Sequence, residues 1–294
     1  MEDIEKWRKA GKITAEALAY GKALIVKGAS MREVCDKIDA KIVELGAKPA
    51  FPAQISMDHI AAHYCVDDED IIFDSQLAKL DIGAHIDGCI GDAACTVDLS
   101  GKNAELVKAS EEALEAAIKT VKAGVTLAEI GKAIHAAISA HGFAPIRNLS
   151  GHGLEKFDVH AAPTVPNFDD GDNAQLEEGQ IIAIEPFATT GAGVIQEAGS
   201  AGVFAFVQKR PVRDTFTREI LKQIETYERL PFATRWLTAK FPRMKVTLAL
   251  KQMLQLGIIH EFAPLADIQK GLVSQAEHTV LVTNEGCEVL TKSA

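Results

Sequence analysis

Gly28-Ala29-Ser30-Met31-Arg32-Glu33-Val34 and Gly124-Val125-Thr126-Leu127-Ala128-Glu129-Ile130 are one folding instruction written twice, 96 positions apart. In each copy a glycine closes a preceding helix. A hydroxyl residue followed three positions later by glutamate makes an N-cap and capping box. The offset persists through Ile38 and Ile134, Gly46 and Gly142, and Pro49 and Pro145. An apolar stripe thus runs to a glycine stop shortly before a proline in both copies. Upstream, Ile4–Val26 and Ala104–Val121 read as two further amphipathic helices. Each half is therefore a long helix, a turn, a second helix, and then strands beginning near Pro49 and Pro145. Two such halves predict an α+β fold, with helices on one face of a curved, mainly antiparallel sheet.

The halves are expected to be residues 1–100, and 101–204 with 271–294, of a single domain spanning 1–294. Thr217–Tyr227, Ala233–Lys240 and Lys245–Leu256 carry helical patterning that matches neither repeat. Residues 205–270 are expected to be an inserted helical subdomain. Further strands are expected at Gln180–Ala188, Gln275–Val282 and Cys287–Leu290, with loops at Gly171–Gln175 and Thr189–Ala201.

Asp81-Ile82-Gly83-Ala84-His85-Ile86-Asp87-Gly88-Cys89-Ile90-Gly91-Asp92 reads as a hairpin turning on Asp87-Gly88, since both central positions of a type I′ turn need positive φ. That register sets Ile86 opposite Cys89, Gly83 opposite Asp92 and Asp81 opposite Ala94. Asp81 and Asp92 then share a face as diagonal neighbours, roughly 7–8 Å apart or less. Two buried carboxylates this close cost several kcal/mol unless a cation stands between them. Three further residues are placed to join them. His152 sits between glycines in Ser150-Gly151-His152-Gly153, Glu185 closes an apolar strand before Pro186, and Glu277 opens another. Four carboxylates and one imidazole suit two hard or borderline divalent ions such as Co, Mn, Fe or Zn, and not a soft thiolate site.

Composition narrows the classes. Hydrophobic residues at 47% and charged residues at 24% are the balance of a water-soluble globular protein. A formal charge of −10 argues against a general nucleic-acid binder. Five cysteines without a CxxC pair suit reduced thiols in a cytoplasmic setting. No apolar run reaches the ~20 residues of a membrane span.

In their order along the chain, Leu80-Asp81-Ile82-Gly83, Gly91-Asp92-Ala93-Ala94, Ser150-Gly151-His152-Gly153, Ile184-Glu185-Pro186-Phe187 and Glu277-His278-Thr279 resemble the type II methionine aminopeptidases of the pita-bread (creatinase-like) fold. The likeness covers nearly the whole chain. The segment with Leu230-Pro231-Phe232-Ala233-Thr234-Arg235-Trp236 resembles the type II insert, and the short N-terminus resembles archaeal forms. The resemblance implies removal of the initiator methionine from nascent proteins whose second residue is small. It implies two divalent ions, with Asp81 on one, Asp92 and Glu277 bridging, and His152 with Glu185 on the other. Such ions lower the pKa of water toward neutrality. Glu185 would take the water's proton and pass it to the leaving nitrogen. His63 and His160 correspond to the family's substrate-side histidines, and Phe51 and Phe262 to its methionine pocket. Two departures stand out: Ala276 replaces an aromatic residue before the last ligand, and Phe262 stands where tyrosine is common. The implied partner is a nascent N-terminus beginning with Met, met by a monomer, with ribosome association left open and no nucleic-acid or membrane partner.

The other histidines receive plainer readings. His85 is ~13 Å along its strand from Asp81, and His278 points away from the face of Glu277. His59, His135, His141 and His260 are surface or helix-end groups, and Cys89 and Cys95 are packing residues. Two rivals share the fold. An Xaa-Pro peptidase would use the same five residues, whereas a metal-free protein that binds nascent chains or ribosomes would be expected to lack some of them.

Overall fold

The computed structural model describes residues 2–67 and 69–292. The duplication is visible down to individual hydrogen bonds. Helices Glu2–Leu24 and Met31–Glu44 of the first half recur as Ala104–Thr120 and Leu127–Ala140 of the second. The Gly28 N–H donates to the Phe73 carbonyl at 2.7 Å, and Gly124 repeats this on Leu176 at 2.8 Å. Met31 donates to Ile71 as Leu127 does to Ala174, and isolated bridges join Ser30 to Ile72 and Thr126 to Gln175. Gly46 and Gly142 follow the helix C-caps with φ of 86° and 78°, the left-handed conformation that glycine adopts without penalty.

Two details of the duplicated cap differ from expectation. Gly28 and Gly124 lie in turns four residues beyond the helices that end at Leu24 and Thr120, so they shape the connection and not the helix end. The capping box is complete only at Thr126 and Glu129. In the first copy the Ser30 hydroxyl accepts from Glu33 N but donates to Asp70, while the Glu33 carboxylate is engaged by Lys37. Asp70 also accepts from the Arg32 backbone, and so supplies the capping carboxylate from a different segment.

The helices of each half cover one side of an antiparallel sheet. Met31, Ile38 and Ile42 pack with Ile55, Leu80 and Ile82, and Ile130, Ile134 and Ile138 pack with Ile182, Ile184 and Val280. Each such buried side chain contributes about 1.5–3 kcal/mol of hydrophobic stabilisation. In the first half the strands Lys48–Met57, Leu77–Ile86 and Cys89–Asp98 form a three-stranded sheet. The Asp87-Gly88 turn holds the expected register throughout, including Gly83 with Asp92 and Asp81 with Ala94, and its φ values are 49° and 87°. In the second half, five strands follow the order Cys287–Val289, His278–Val282, Ile181–Ile184, Ser150–Glu155 and Asp158–Pro166.

The strands expected at Gln180–Ala188 and Gln275–Val282 are each broken in two. Ile181–Ile184 pairs in the five-stranded sheet, whereas Phe187–Thr189 pairs with Val273–Gln275 and Ala144–Pro145 in another. The breaks fall at Glu185-Pro186 and Ala276-Glu277, where proline has no N–H to give and the Glu277 N–H turns instead to the Ala94 carbonyl at 3.0 Å. Two threonine hydroxyls stitch the halves across this gap. Thr279 Oγ1 accepts from Asp92 N and donates to Asp92 O, both at 2.8 Å. Thr96 Oγ1 does the same for Gln275, at 2.8 and 2.7 Å.

The segment expected to be an inserted helical subdomain, residues 205–270, contributes short strands as well as helices. Helices Thr215–Glu225, Thr234–Thr238 and Arg243–Gln255 pack on a small sheet of Phe232–Ala233, Val203–Phe206 and Ile259–Phe262. They share a core with Phe204, Ile220, Ile224, Met253 and Ile259. Arg235 ties this unit to the first half through Asp39 at 2.6 Å and Asp36 at 3.2 Å. The loop expected at Thr189–Ala201 contains one short strand, Ile195–Glu197, which pairs with Leu265–Asp267. No helix among the described residues is long and apolar enough to cross a membrane.

Candidate metal centre and substrate cavity

Asp81, Asp92, His152, Glu185 and Glu277 line one cavity of about 310 Å³. The hairpin supplies the two aspartates, the strand Ser150–Glu155 supplies the histidine, and the two strand breaks supply the glutamates. A glutamate at a break is freed from the up-down alternation of the pleat, which lets both turn toward the hairpin. Single donor atoms of Asp92, His152 and Glu277 lie within 4.8 Å of one another. His152 Nε2 stands 3.8 Å from Asp92 Oδ2 and 3.7 Å from Glu185 Oε1. Gln275 Nε2 reaches Asp81 Oδ2, Glu185 Oε2 and Glu277 Oε2, each at 3.4 Å.

The electrostatics of this cluster call for a cation. His152 Nδ1 lies 3.2 Å from the Gly153 carbonyl, so we assign it the proton; Nε2 then presents a lone pair to the carboxylates. A lone pair facing two carboxylate oxygens at 3.7 and 3.8 Å is repulsive without a positive charge between them. Asp81 Oδ1 and Asp92 Oδ1 are buried with no hydrogen-bond partner at all, an arrangement that costs several kcal/mol for a carboxylate in the absence of a counter-charge. Burial pushes the Asp81 carboxyl up to about 7. Burial, reinforced by the charges of neighbouring carboxylates, holds Asp92, Glu185 and Glu277 well above the usual range. Burial drives His152 down to about 3, so its imidazole is neutral and free to ligate. These residues fit divalent metal: hard oxygen donors, one borderline nitrogen, and orphaned oxygens aimed at the same space.

Four other expected residues line the same cavity: His63, His160, Phe51 and Phe262. The His160 ring stands 4.9 Å from His152 and 5.8 Å from Phe262, and His63 stands 5.6 Å from Phe262. Burial lowers His63 to about 4, and His160 is lowered for the same reason. His63 adopts φ of 65°, a left-handed conformation uncommon outside glycine, of the kind that collects at functional sites. Ala62, Val203 and Pro231 add apolar wall. His85 and His278 lie outside the cavity lining; the first accepts from Gly88 N, and the second bonds Thr291 Oγ1 at 2.9 Å. The exposed His260 packs edge-on to Phe262 at 5.0 Å, which places it at the cavity rim.

Two residues escaped the sequence reading: Gln54, which lines the cavity, and Gln275, which backs its carboxylates. Gln275 carried a faint signal, since it stands two positions before Glu277 and alternation would put both on one face. Gln54 carried none: it lies opposite Asp81 in a pairing between Lys48–Met57 and Leu77–Ile86 that no local motif specifies.

The pattern of metallopeptidase family M24 matches residues 5–284, and the chain belongs to that family. It is 46% identical to the methionine aminopeptidase of Archaeoglobus fulgidus, over 98% of both chains. Its fold matches a thermophilic Arx1 with a TM-score of 0.85 at 17% identity, over 99% of this chain and 91% of that one. It also matches the prolidase of Pyrococcus furiosus with a TM-score of 0.65 at 22% identity, over all of this chain and 65% of that one. The fold is the pita-bread fold, α+β with antiparallel sheets.

Proposed function

We propose that this protein is a methionine aminopeptidase of type II, which removes the initiator methionine from nascent polypeptides with a small second residue and requires two divalent ions. The observation that carries the reading is near-full-length identity of 46% to a methionine aminopeptidase, joined to a cavity where all five candidate ligands converge. Asp81, Asp92, His152, Glu185 and Glu277 would hold the ions, and their donor types suit Co, Mn, Fe or Zn. When bound, the ions supply Lewis acidity that lowers the pKa of water and polarises the peptide carbonyl. Glu185 receives the water's proton and returns it to the leaving nitrogen. His63 and His160, neutral and at the cavity wall, hydrogen-bond the substrate and the developing oxyanion. Phe51 and Phe262 form the apolar seat of the methionine side chain.

The setting is cytoplasmic, and the five cysteines stand free of disulfides. The partner is a nascent N-terminus. Residues 205–270 carry twelve Lys and Arg against six Asp and Glu in a chain of net charge −10, which supports approach of this end of the molecule to the anionic ribosome. The test is metal-loaded protein incubated with Met-Gly-X, Met-Lys-X and X-Pro peptides. Free methionine from the first, with little from the others, is the expected result. Cleavage confined to X-Pro peptides would instead identify an Xaa-Pro peptidase, and no cleavage with any metal a binding protein.

A further inference from the structure

Gln275 is the one neutral side chain among the described residues with its amide nitrogen within hydrogen-bonding distance of three of the five candidate ligands, two of which its two N–H groups can serve at a time. Its amide nitrogen lies 3.4 Å from an oxygen of Asp81, Glu185 and Glu277 alike. No two of those oxygens can therefore stand more than twice that distance apart. The contact matters most for Asp81, because Asp92, His152 and Glu277 have mutually close donor atoms and Glu185 already stands 3.7 Å from His152. Gln275 links Asp81 to that group through Glu277 and Glu185.

The glutamine is itself held firmly. It is 1% exposed. Its backbone N–H and carbonyl are both engaged by the Thr96 hydroxyl, at 2.8 and 2.7 Å, and its strand pairs it with Phe187. Thr96 lies on the strand that carries Asp92, so the glutamine is braced by the same element that presents a candidate ligand. A primary amide also has a property that an ammonium group lacks here. It offers N–H donors to carboxylates without adding a positive charge that would compete with an incoming cation.

We propose that Gln275 is a positioning residue of the metal centre, holding Asp81 and Glu185, which serve different ions in the reading above, in the orientation each needs to ligate. The proposal rests on the dinuclear reading given above and adds a residue to it. Partners of this kind typically account for 10–100-fold in metal affinity when removed.

The experiment is calorimetric titration of chelator-stripped protein with Mn(II), for the parent, Gln275→Met and Gln275→Asn. Methionine fills the same space without a donor, and asparagine keeps the amide but falls one methylene short. In both variants at least one of the two binding steps is expected to weaken about 10–100-fold. Thermal midpoints of the stripped proteins serve as the second readout, and they are expected to stay within a few degrees of parent. A role confined to packing predicts the reverse: lowered midpoints with unchanged affinities. Parent-like affinity at both steps in either variant overturns the proposal while leaving the dinuclear reading intact. A parent that takes up no ion overturns the dinuclear reading, and the proposal with it.

Discussion

Replacing Gly153 by alanine should separate turnover from metal binding. An added Cβ would stand 1.9 Å from the Ala162 carbonyl oxygen and 2.4 Å from its carbon, both backbone atoms that no rotamer change can remove. Ordinary contact begins at 3.4 Å, so the two strands must part by about 1.5 Å. Ser150–Glu155 is pinned by its other neighbour, since His152 pairs with Ala183 and Gly153 with Ile182. Asp158–Pro166 is the outermost strand of its sheet, with no further strand beyond it, so it is the one expected to move. It carries His160, two residues before Ala162, whose ring now sits 4.9 Å from that of His152. A displacement of ~1 Å at a positioned group costs on the order of 100-fold in rate. Gly153→Ala is therefore expected to bind both ions with affinities near parent and to lose ~100-fold or more in kcat/KM on Met-Ala peptides. Stopped-assay kinetics beside calorimetric titration read both quantities. Parent-like turnover, or turnover lost only because an ion is lost, would refute the reasoning.

Further outcomes follow from the same geometry. His160→Ala should retain both ions, because the five-residue set is untouched, and should lose a hydrogen bond worth ~1–3 kcal/mol, or roughly 5- to 150-fold in turnover at about 1.4 kcal/mol per tenfold; loss of an ion on titration would contradict this. Asp81 has its folded pKa raised from 3.8 to about 7 by burial, so in metal-free protein its contribution to stability is fully present below 3.8 and is lost as pH rises through about 7. Metal-free Asp81→Asn should accordingly be more stable than parent at pH 7.5, with the difference fading toward pH 4; urea unfolding at several pH values decides it. Arg235→Met leaves Asp39 without the guanidinium now 2.6 Å away, and breaking such a buried pair should destabilise the fold by ~3–5 kcal/mol, measured as a lower urea midpoint.

The duplicated cap and the Asp87-Gly88 hairpin were legible because their signals are local. A capping residue, a glycine stop and a two-residue turn each act within a few positions, and the turn alone fixes the register that aligns Asp81 with Asp92. The breaks at Glu185-Pro186 and Ala276-Glu277 were less legible, since apolar runs on both sides read as continuous strand. Only tertiary pairing shows that the two ends of each run belong to different sheets. The small sheet beside the inserted helices was missed for a related reason. Val203–Phe206 and Ile259–Phe262 are four residues each, too short for periodicity to tell strand from helix. Within the cavity, the charged residues were visible because a carboxylate in an apolar context is conspicuous. Gln54 in the cavity and Gln275 behind its carboxylates are neutral, and only the pairing of distant strands brings them there.

The central claim is that two ions are held by Asp81, Asp92, His152, Glu185 and Glu277. Anomalous diffraction from crystals grown with Mn(II) or Co(II) tests it most directly. Two peaks roughly 3.5–4 Å apart, with Asp92 and Glu277 between them, Asp81 on one and His152 with Glu185 on the other, are the expected result. A single ion, or ions bound away from these five side chains, would contradict it.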